Sequence, residues 1–336
     1  ERSRSILYAS RSWFQQHQEI RGNRYGSANN STILTPEEAA TYVGVKPTAK
    51  APRFQWQWAW RTHRRLLPLL HFGDACSPPD SSRALICIWL KALAGMDQTS
   101  PVFDNKLTYD LLPRLSRLIL RLPTMFFPRL HHANVEIRTA FLNQSVKKMI
   151  AEFNTKYPTR ENRRIKLITL GAGYDVRSVR FLEEGLVDEA LEFDLPQVVE
   201  SKGKMLEQRL FPRRTKHTSR RPSLHEIDLN DTDQIPFVLK SKAIDPGETL
   251  PTLYVLVLEG VLIYLDDPSA VLKALGDTFK GQDAVLCFAD RLANVPGGDM
   301  QLANKELGEC GWKLNEWLPK PGLARHMGSV WLRRSS

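Results

Sequence analysis

Apolar positions recur along this chain in two rhythms, a helical one first and then a mixture of strand-length runs and helical stretches. Over residues 81–94, Leu85, Ile88, Trp89 and Ala92 fall on one helical face. Residues 107–122 read as a second helix that ends near Pro123, and residues 135–153 as a third, with Leu142, Val146, Met149, Ile150 and Phe153 at helical spacing. Short apolar runs of strand length then follow at 165–170, 191–194, 224–229, 253–259, 285–289 and 329–332. Helical stretches such as 196–210 and 268–279 lie between most of them. Such alternation predicts an α/β fold, a mainly parallel sheet with helices on both faces. Ligands bind sheets of this kind beyond the carboxyl ends of the strands.

The first 80 residues follow neither rhythm, so the chain divides into an extension over 1–80, partly disordered or helical, and a folded domain over 81–336. Residues 1–35 are rich in Arg and Ser and poor in acids, and the chain opens on Glu1. That composition fits the remnant of an organelle transit peptide or a plain disordered tail. Thr35-Pro36-Glu37-Glu38 has the cap and first-turn proline of a helix start. Phe54-Gln55-Trp56-Gln57-Trp58-Ala59-Trp60 alternates aromatic and polar residues, and an Arg-rich helical stretch follows. These tryptophans either pack onto the domain, which is the more common fate, or cover a pocket or a membrane surface.

Composition narrows the class. Hydrophobic residues make up 42% and charged residues 25% of 336, so most of the chain has the means to fold. No apolar run is long enough to cross a bilayer. The four cysteines, Cys76, Cys87, Cys287 and Cys310, show no C-x-x-C pairing and no metal-ligand spacing, which points to a reducing compartment and to no metal site. A cytoplasmic location is the expectation, or an organelle if residues 1–35 are a targeting segment. The formal net charge of +10 is concentrated in local clusters, Arg213-Arg214-Thr215-Lys216 with Arg220-Arg221, and Arg61, Arg64 and Arg65. No RNA-binding motif accompanies them, so a solvated basic surface is expected rather than a nucleic-acid partner. His131-His132 has no third ligand placed with it and is expected in a surface loop.

The chemistry concentrates at the end of the run 165–170, where Gly171-Ala172-Gly173 makes a bend into a polar-capped helix. Two glycines there let a ligand approach the backbone. Roughly twenty residues on, the run Ala190-Leu191-Glu192-Phe193-Asp194 ends in an acid, suited to ribose hydroxyls from the tip of the neighbouring strand. A dinucleotide fingerprint would place a third glycine where Val176 stands, and Asp175 at the helix start would repel a pyrophosphate. S-adenosylmethionine (SAM) carries adenosine without phosphate, and its sulfonium is positive. The alternative is a tight turn with Asp175 as its helix cap, and Asp194 as a strand-end residue before Pro196.

Leu170-Gly171-Ala172-Gly173-Tyr174-Asp175-Val176-Arg177 resembles the L-G-A-G-x-D-T-R segment of the leucine carboxyl methyltransferase family, within the class I SAM-dependent methyltransferases. Further motifs occur in the family's order. Ser82-Arg83-Ala84 and Pro101-Val102-Phe103-Asp104 resemble the entry helix of its bacterial-type members. Arg138-Thr139-Ala140-Phe141 resembles the R-T-x-F helix start, and Glu192-Phe193-Asp194-Leu195-Pro196 with Lys202 the second-strand segment. Leu258-Glu259-Gly260-Val261-Leu262-Ile263-Tyr264-Leu265 is similar to E-G-V-x-x-Y-L, and Gly311-Trp312 to a late feature. The resemblance runs from about residue 81 to the C-terminus and implies a Rossmann-like class I methyltransferase fold with an N-terminal helical extension. Val176 replaces the family's Thr, and the Ser-Lys that precedes the arginine helix in the phosphatase-modifying arm is not found.

The resemblance also implies roles. Gly171 and Gly173 would clear space for the methionine part of SAM, and Asp194 would hold the ribose. Asp228 and Leu229 would meet adenine, and Arg138 would bind the methionine carboxylate through its planar fork. Glu259, an acid closing an apolar strand and costly to bury alone, would line the cofactor and methyl-transfer region. Tyr264 would shape the acceptor pocket. The bland alternatives are a helix-surface ion pair for Arg138 and core packing for Tyr264. Asp175 and Arg177 would brace the glycine turn, with Arg177 paired to a nearby acid.

The reaction expected is O-methylation of a carboxylate or hydroxyl, on a protein C-terminal leucine or on a small molecule of polyketide type. A carboxylate acceptor is ionised at neutral pH and needs no general base, and the sequence shows no His–Asp or Cys–His arrangement that would supply one. A tRNA-modifying relative using the basic surface, and a non-enzymatic binding scaffold, are the other readings.

Overall fold

The computed structural model describes residues 105–112, 129–211, 220–320 and 325–332. All of them belong to one compact unit, Ile33–Ser336. The helix expected over 81–94, the aromatic stretch 54–60 and the boundary near residue 80 lie outside the described residues, as does Arg213-Arg214-Thr215-Lys216.

In chain order the helices and strands are α1 (Asn105–Leu111), α2 (Arg129–Lys156), β1 (Arg164–Leu170), α3 (Arg177–Glu183), β2 (Glu189–Asp194), α4 (Pro196–Met205), β3 (Ser223–Glu226), α5 (Gln234–Lys242), β4 (Thr252–Glu259), α6 (Pro268–Thr278), β5 (Asp283–Asp290), α7 (Met300–Glu309), β6 (Trp312–Pro319) and β7 (His326–Leu332). The strands form one seven-stranded sheet in the order β3-β2-β1-β4-β5-β7-β6. The first five run parallel. β7 is antiparallel to both β5 and β6. The parallel strands therefore end on one edge, at Leu170, Asp194, Glu226, Glu259 and Asp290.

β4 and β5 are buried almost end to end, as strands covered on both faces must be. Successive side chains divide between the faces. Tyr254, Leu256 and Leu258 pack with Leu286 and Phe288 against Ile235, Leu239, Val271, Leu272, Leu275, Ala303 and Leu307 of α5, α6 and α7. Leu253, Val255 and Val257 pack on the other face with Val285 and Cys287 against Ile137, Phe141, Val146, Met149 and Ile150 of α2. A smaller cluster joins Leu107, Leu111 and Leu112 to Tyr174, Val176, Val179 and Met205, seating α1 against the segment after β1.

Sequence punctuation sets several boundaries. Pro196 and Pro268 stand in the first turns of α4 and α6, and the Asp267 side chain caps α6 by accepting the Ala270 N–H at 3.0 Å. Asp299 caps α7 by accepting from Gln301 and Leu302.

Three expectations are corrected. The third strand stops at Glu226 instead of running on to Leu229; beyond it only the Ile227 N–H continues the pairing, to the Asp194 carbonyl at 2.9 Å. β6 has no counterpart among the apolar runs, because Lys313, Asn315 and Glu316 interrupt it on an edge strand with one polar face. His131 and His132 lie in the first turn of α2, not in a loop, because that helix begins at Arg129.

Candidate active site

The carboxyl edge gathers the sequence-predicted residues around the turn after β1. The Gly171 and Ala172 N–H groups both donate to the Phe193 carbonyl, at 2.8 and 3.2 Å, so β2 anchors the turn directly. Gly171 and Gly173 adopt φ of +62° and +49°, the left-handed region that glycine enters without strain. A Cβ on Gly171 would collide with the methyl groups of Val261. The space freed at Gly171 is thus taken by Val261 from the loop after β4. Gly173 is partly exposed in the turn.

Asp194 stands half-buried at the tip of β2. Its Oδ2 accepts the Gly173 N–H at 2.6 Å and its Oδ1 the N–H of Leu195 at 2.8 Å. Burial raises its carboxyl above the ordinary Asp range, opposed by those two N–H groups and by the charge of Lys202. A carboxylate has about four lone-pair sites, so two bonds leave acceptor capacity for a diol.

Glu259, at the tip of β4, is held from two sides. Its Oε1 accepts from Arg138 Nε at 2.8 Å and Thr139 Oγ1 at 3.2 Å, and its Oε2 from Arg177 Nη2 at 2.7 Å. Arg177 also donates through Nε to Asn143 Oδ1 at 2.8 Å and pairs through Nη1 with Asp175 at 3.2 Å. The Asp175 Oδ1 accepts the Arg177 N–H at 3.0 Å at the start of α3. Burial works against the Arg177 charge, but Asp175 and Glu259 outweigh it and raise its pKa. Asp175 and Arg177 therefore brace the turn, and the acid that Arg177 finds is Glu259 as well as Asp175. Arg138 is an ion-pair partner of a strand-tip acid at the site.

The remaining candidates spread along the edge. Leu229 is buried, whereas Asp228 is exposed and accepts the Asn230 N–H at 2.9 Å. Tyr264 is 54% exposed, so it is not a core residue among the described ones. It ends a 3₁₀ turn, Leu262–Tyr264, that follows β4.

Two edge residues escaped the sequence reading. Asp290, fully buried at the tip of β5, accepts N–H groups from Val261, Leu262, Ile263 and Arg291 at 2.6–3.1 Å. It has the signature that drew attention to Glu259, an acid closing an apolar strand. Lys320, just past β6, is buried, and burial together with the Arg138 charge pushes its amine down to about 7.

The edge fits SAM by the chemistry of its donor set. A strand-tip carboxylate keeps lone pairs for ribose hydroxyls beside a partly exposed glycine turn, and acids close four of the five parallel strands in a chain of net charge +10. Among the described residues no group of three or more His, Cys, Asp or Glu could hold a metal ion.

The family model for leucine carboxyl methyltransferase matches residues 89–276, more than half of the chain. The chain belongs to the leucine carboxyl methyltransferase family. It is a SAM-dependent methyltransferase with a seven-stranded, Rossmann-like class I sheet. None of the curated proteins matches it. Solved structures similar to it include a magnesium protoporphyrin IX methyltransferase from Synechocystis PCC 6803 with bound SAM, at 13% identity over 61% of this chain and 83% of that chain, TM-score 0.38. A putative methyltransferase from Thermobifida fusca YX matches at 13% identity over 72% and 98% of the two chains, TM-score 0.41. An O-methyltransferase family protein from Burkholderia thailandensis matches at 14% identity over 99% and 98%, TM-score 0.34. Likenesses this distant say nothing of the methyl acceptor. The non-enzymatic scaffold reading gives way to membership of an enzyme family. No helix among the described residues is long and apolar enough to cross a membrane.

Proposed function

We propose that this methyltransferase transfers its methyl group to an oxygen of a carboxylate acceptor, on a small molecule or at a protein C-terminus. The observation that carries the reading is the state of the acids on the edge. Glu259 has both oxygens bound to arginines, Asp194 has both bound to backbone N–H groups, and Asp290 is committed to the loop after β4. Three acids that hold arginines, the glycine turn and a loop in place suit an acceptor that arrives already ionised. An α-carboxyl, with a pKa of about 3.5, does so at neutral pH.

In this reading Asp194 holds the ribose, Gly171 and Gly173 shape the turn beside the methionine part, and Asp228 and Leu229 flank adenine. Arg138 meets the methionine carboxylate while its Nε stays on Glu259. Glu259 fixes Arg138 and Arg177, and Tyr264 borders the acceptor. When bound, SAM supplies an electrophilic methyl group on a positive sulfur. The chain's residues contribute alignment of the two partners and exclusion of water.

A second reading, a hydroxyl acceptor, is favoured by Lys320. An amine pushed down to about 7 beside Arg138 is partly neutral at physiological pH and could take a hydroxyl proton.

The test is calorimetric titration with SAM of the wild type and of Asp194→Ala, followed by an acceptor screen. Saturable binding lost at least tenfold in the variant supports the assignment of Asp194. Methylation of leucine-ending peptides or small carboxylic acids, absent when the carboxyl is amidated, supports the carboxylate reading. Turnover of phenols or alcohols alone, rising with pH and lost in Lys320→Met, overturns it in favour of the second.

A further inference from the structure

The geometry points to Lys202 as a positioning residue for the cofactor, one that locks the glycine turn to the ribose-binding strand. Lys202 projects from α4 and is 2% exposed. Its Nζ donates to the Asp175 carbonyl at 2.7 Å and pairs with Glu192 Oε2 at 2.6 Å. One ammonium group thus bridges the segment after β1 and the strand whose tip carries Asp194. The Asp175 N–H in turn donates to the Ala172 carbonyl at 3.0 Å, so the residue whose carbonyl Lys202 grips is itself tied to the Gly171-Ala172-Gly173 bend.

The charges around this ammonium make it more than a support for the fold. Glu192 on β2 and Asp194 at the strand tip lie within its field, while the Asp175 carboxylate acts on Glu192 and is answered, with Glu259, by Arg177 on α3. Glu192 is buried and its carboxyl is raised by that burial, with Lys202 and Ser178 opposing the shift. Lys202 also opposes the burial of Asp194, so it favours the ionised form of the acid that would meet the ribose. Removing the lysine frees the Asp175 carbonyl and makes Asp194 easier to protonate. Neither effect follows from removing Glu192 alone, because a lysine without Glu192 still reaches Asp175.

The inference rests on the placement of SAM at this turn, and three variants separate the two claims. Asp194→Ala tests the placement. Glu192→Gln breaks the ion pair while keeping Lys202. The double variant Glu192→Leu/Lys202→Met removes both charges together, which commonly leaves a buried site as stable as before. SAM affinity is measured by calorimetry from pH 5 to pH 8, with thermal unfolding as a check on the fold. The expected result is near-wild-type affinity for Glu192→Gln, and at least a tenfold loss for the double variant. The pH below which binding weakens should also move upward in the double variant. Equal losses for Glu192→Gln and the double variant would reduce Lys202 to half of a structural ion pair and overturn the inference. So would wild-type affinity and pH profile in the double variant. If Asp194→Ala binds SAM as wild type does, the placement itself is wrong, and the two failures are told apart.

Discussion

Val261 occupies the space that a side chain on Gly171 would need. A Cβ built at Gly171 meets both Val261 methyl groups, and Gly171 holds φ at +62°. The loop after β4 and the turn after β1 are therefore keyed together at one position. Gly171→Ala should destabilise the protein twice over, by about 1–2 kcal/mol for the left-handed backbone and by about 1–3 kcal/mol for overpacking. Adding Val261→Ala should relieve the second part and leave the first. Urea denaturation of the two single variants and the double variant measures this; additive losses would mean that the two residues do not share the space.

Glu259 is the shared partner of two arginines, and its side chain is only 8% exposed. Glu259→Gln keeps the size but removes the charge, and its amide N–H₂ must face one of the two guanidinium groups. The Arg177 side chain, 2% exposed, would keep only Asp175 as a counter-charge. A cost of about 3 kcal/mol is expected for leaving a buried charge under-compensated. Arg138→Met should cost less, because Glu259 retains Arg177. Chemical denaturation gives the order, and a larger loss in Arg138→Met would show that the pair to Arg138 is the dominant one.

Much of this architecture was legible in the sequence. β1, β4 and β5 stand out as apolar runs because they are covered on both faces, and such burial leaves little room for polar residues. β6 did not stand out, because an edge strand with Lys313 and Glu316 on its polar side looks like a loop. The glycine turn and Asp194 were readable because tight turns and strand tips are local chemistry. That Arg177 would pair with an acid was also readable; that it reaches Glu259, 82 positions away, was not. The 121-residue separation of Arg138 from Glu259 hides the same fact from the other side. Local sequence shows which residues need partners, and only the sheet order brings the partners together.

Asp290 makes a prediction of its own. Its carboxylate collects three successive N–H groups of the loop after β4, from Val261, Leu262 and Ile263. The same loop carries Val261 to Gly171 and presents exposed Tyr264. Asp290→Asn replaces one acceptor oxygen with a donor that faces those N–H groups. Bonds to a charged acceptor are each worth about 1.5–3 kcal/mol, so a loss of about 2 kcal/mol or more is expected. Amide hydrogen exchange should accelerate at residues 261–263 before it does in the central strands. Uniform acceleration across the sheet would instead make Asp290 an ordinary core support.

His326 gives the stability of the domain a pH dependence whose sign can be worked out. The ring is fully buried at the start of β7. Its Nδ1 accepts the Leu292 N–H at 2.9 Å, and its Nε2 donates to the Gly297 carbonyl at 2.6 Å, the neutral tautomer pinning both ends of the loop after β5. Burial pushes its pKa down to about 4, with Arg325 and Arg291 adding to the shift and the Gly297 carbonyl opposing it. An unfolded histidine titrates near 6.5, so below that pH the unfolded chain binds a proton that the folded one does not. The stabilisation is complete above pH 6.5 and is lost as pH falls toward 4, by a total on the order of 3 kcal/mol. His326→Gln should be less stable than wild type at pH 7.5, and the gap should narrow steadily as the pH is lowered to 4.5. Urea denaturation across that range measures the gap, and a constant difference would show that His326 is not held neutral by its loop.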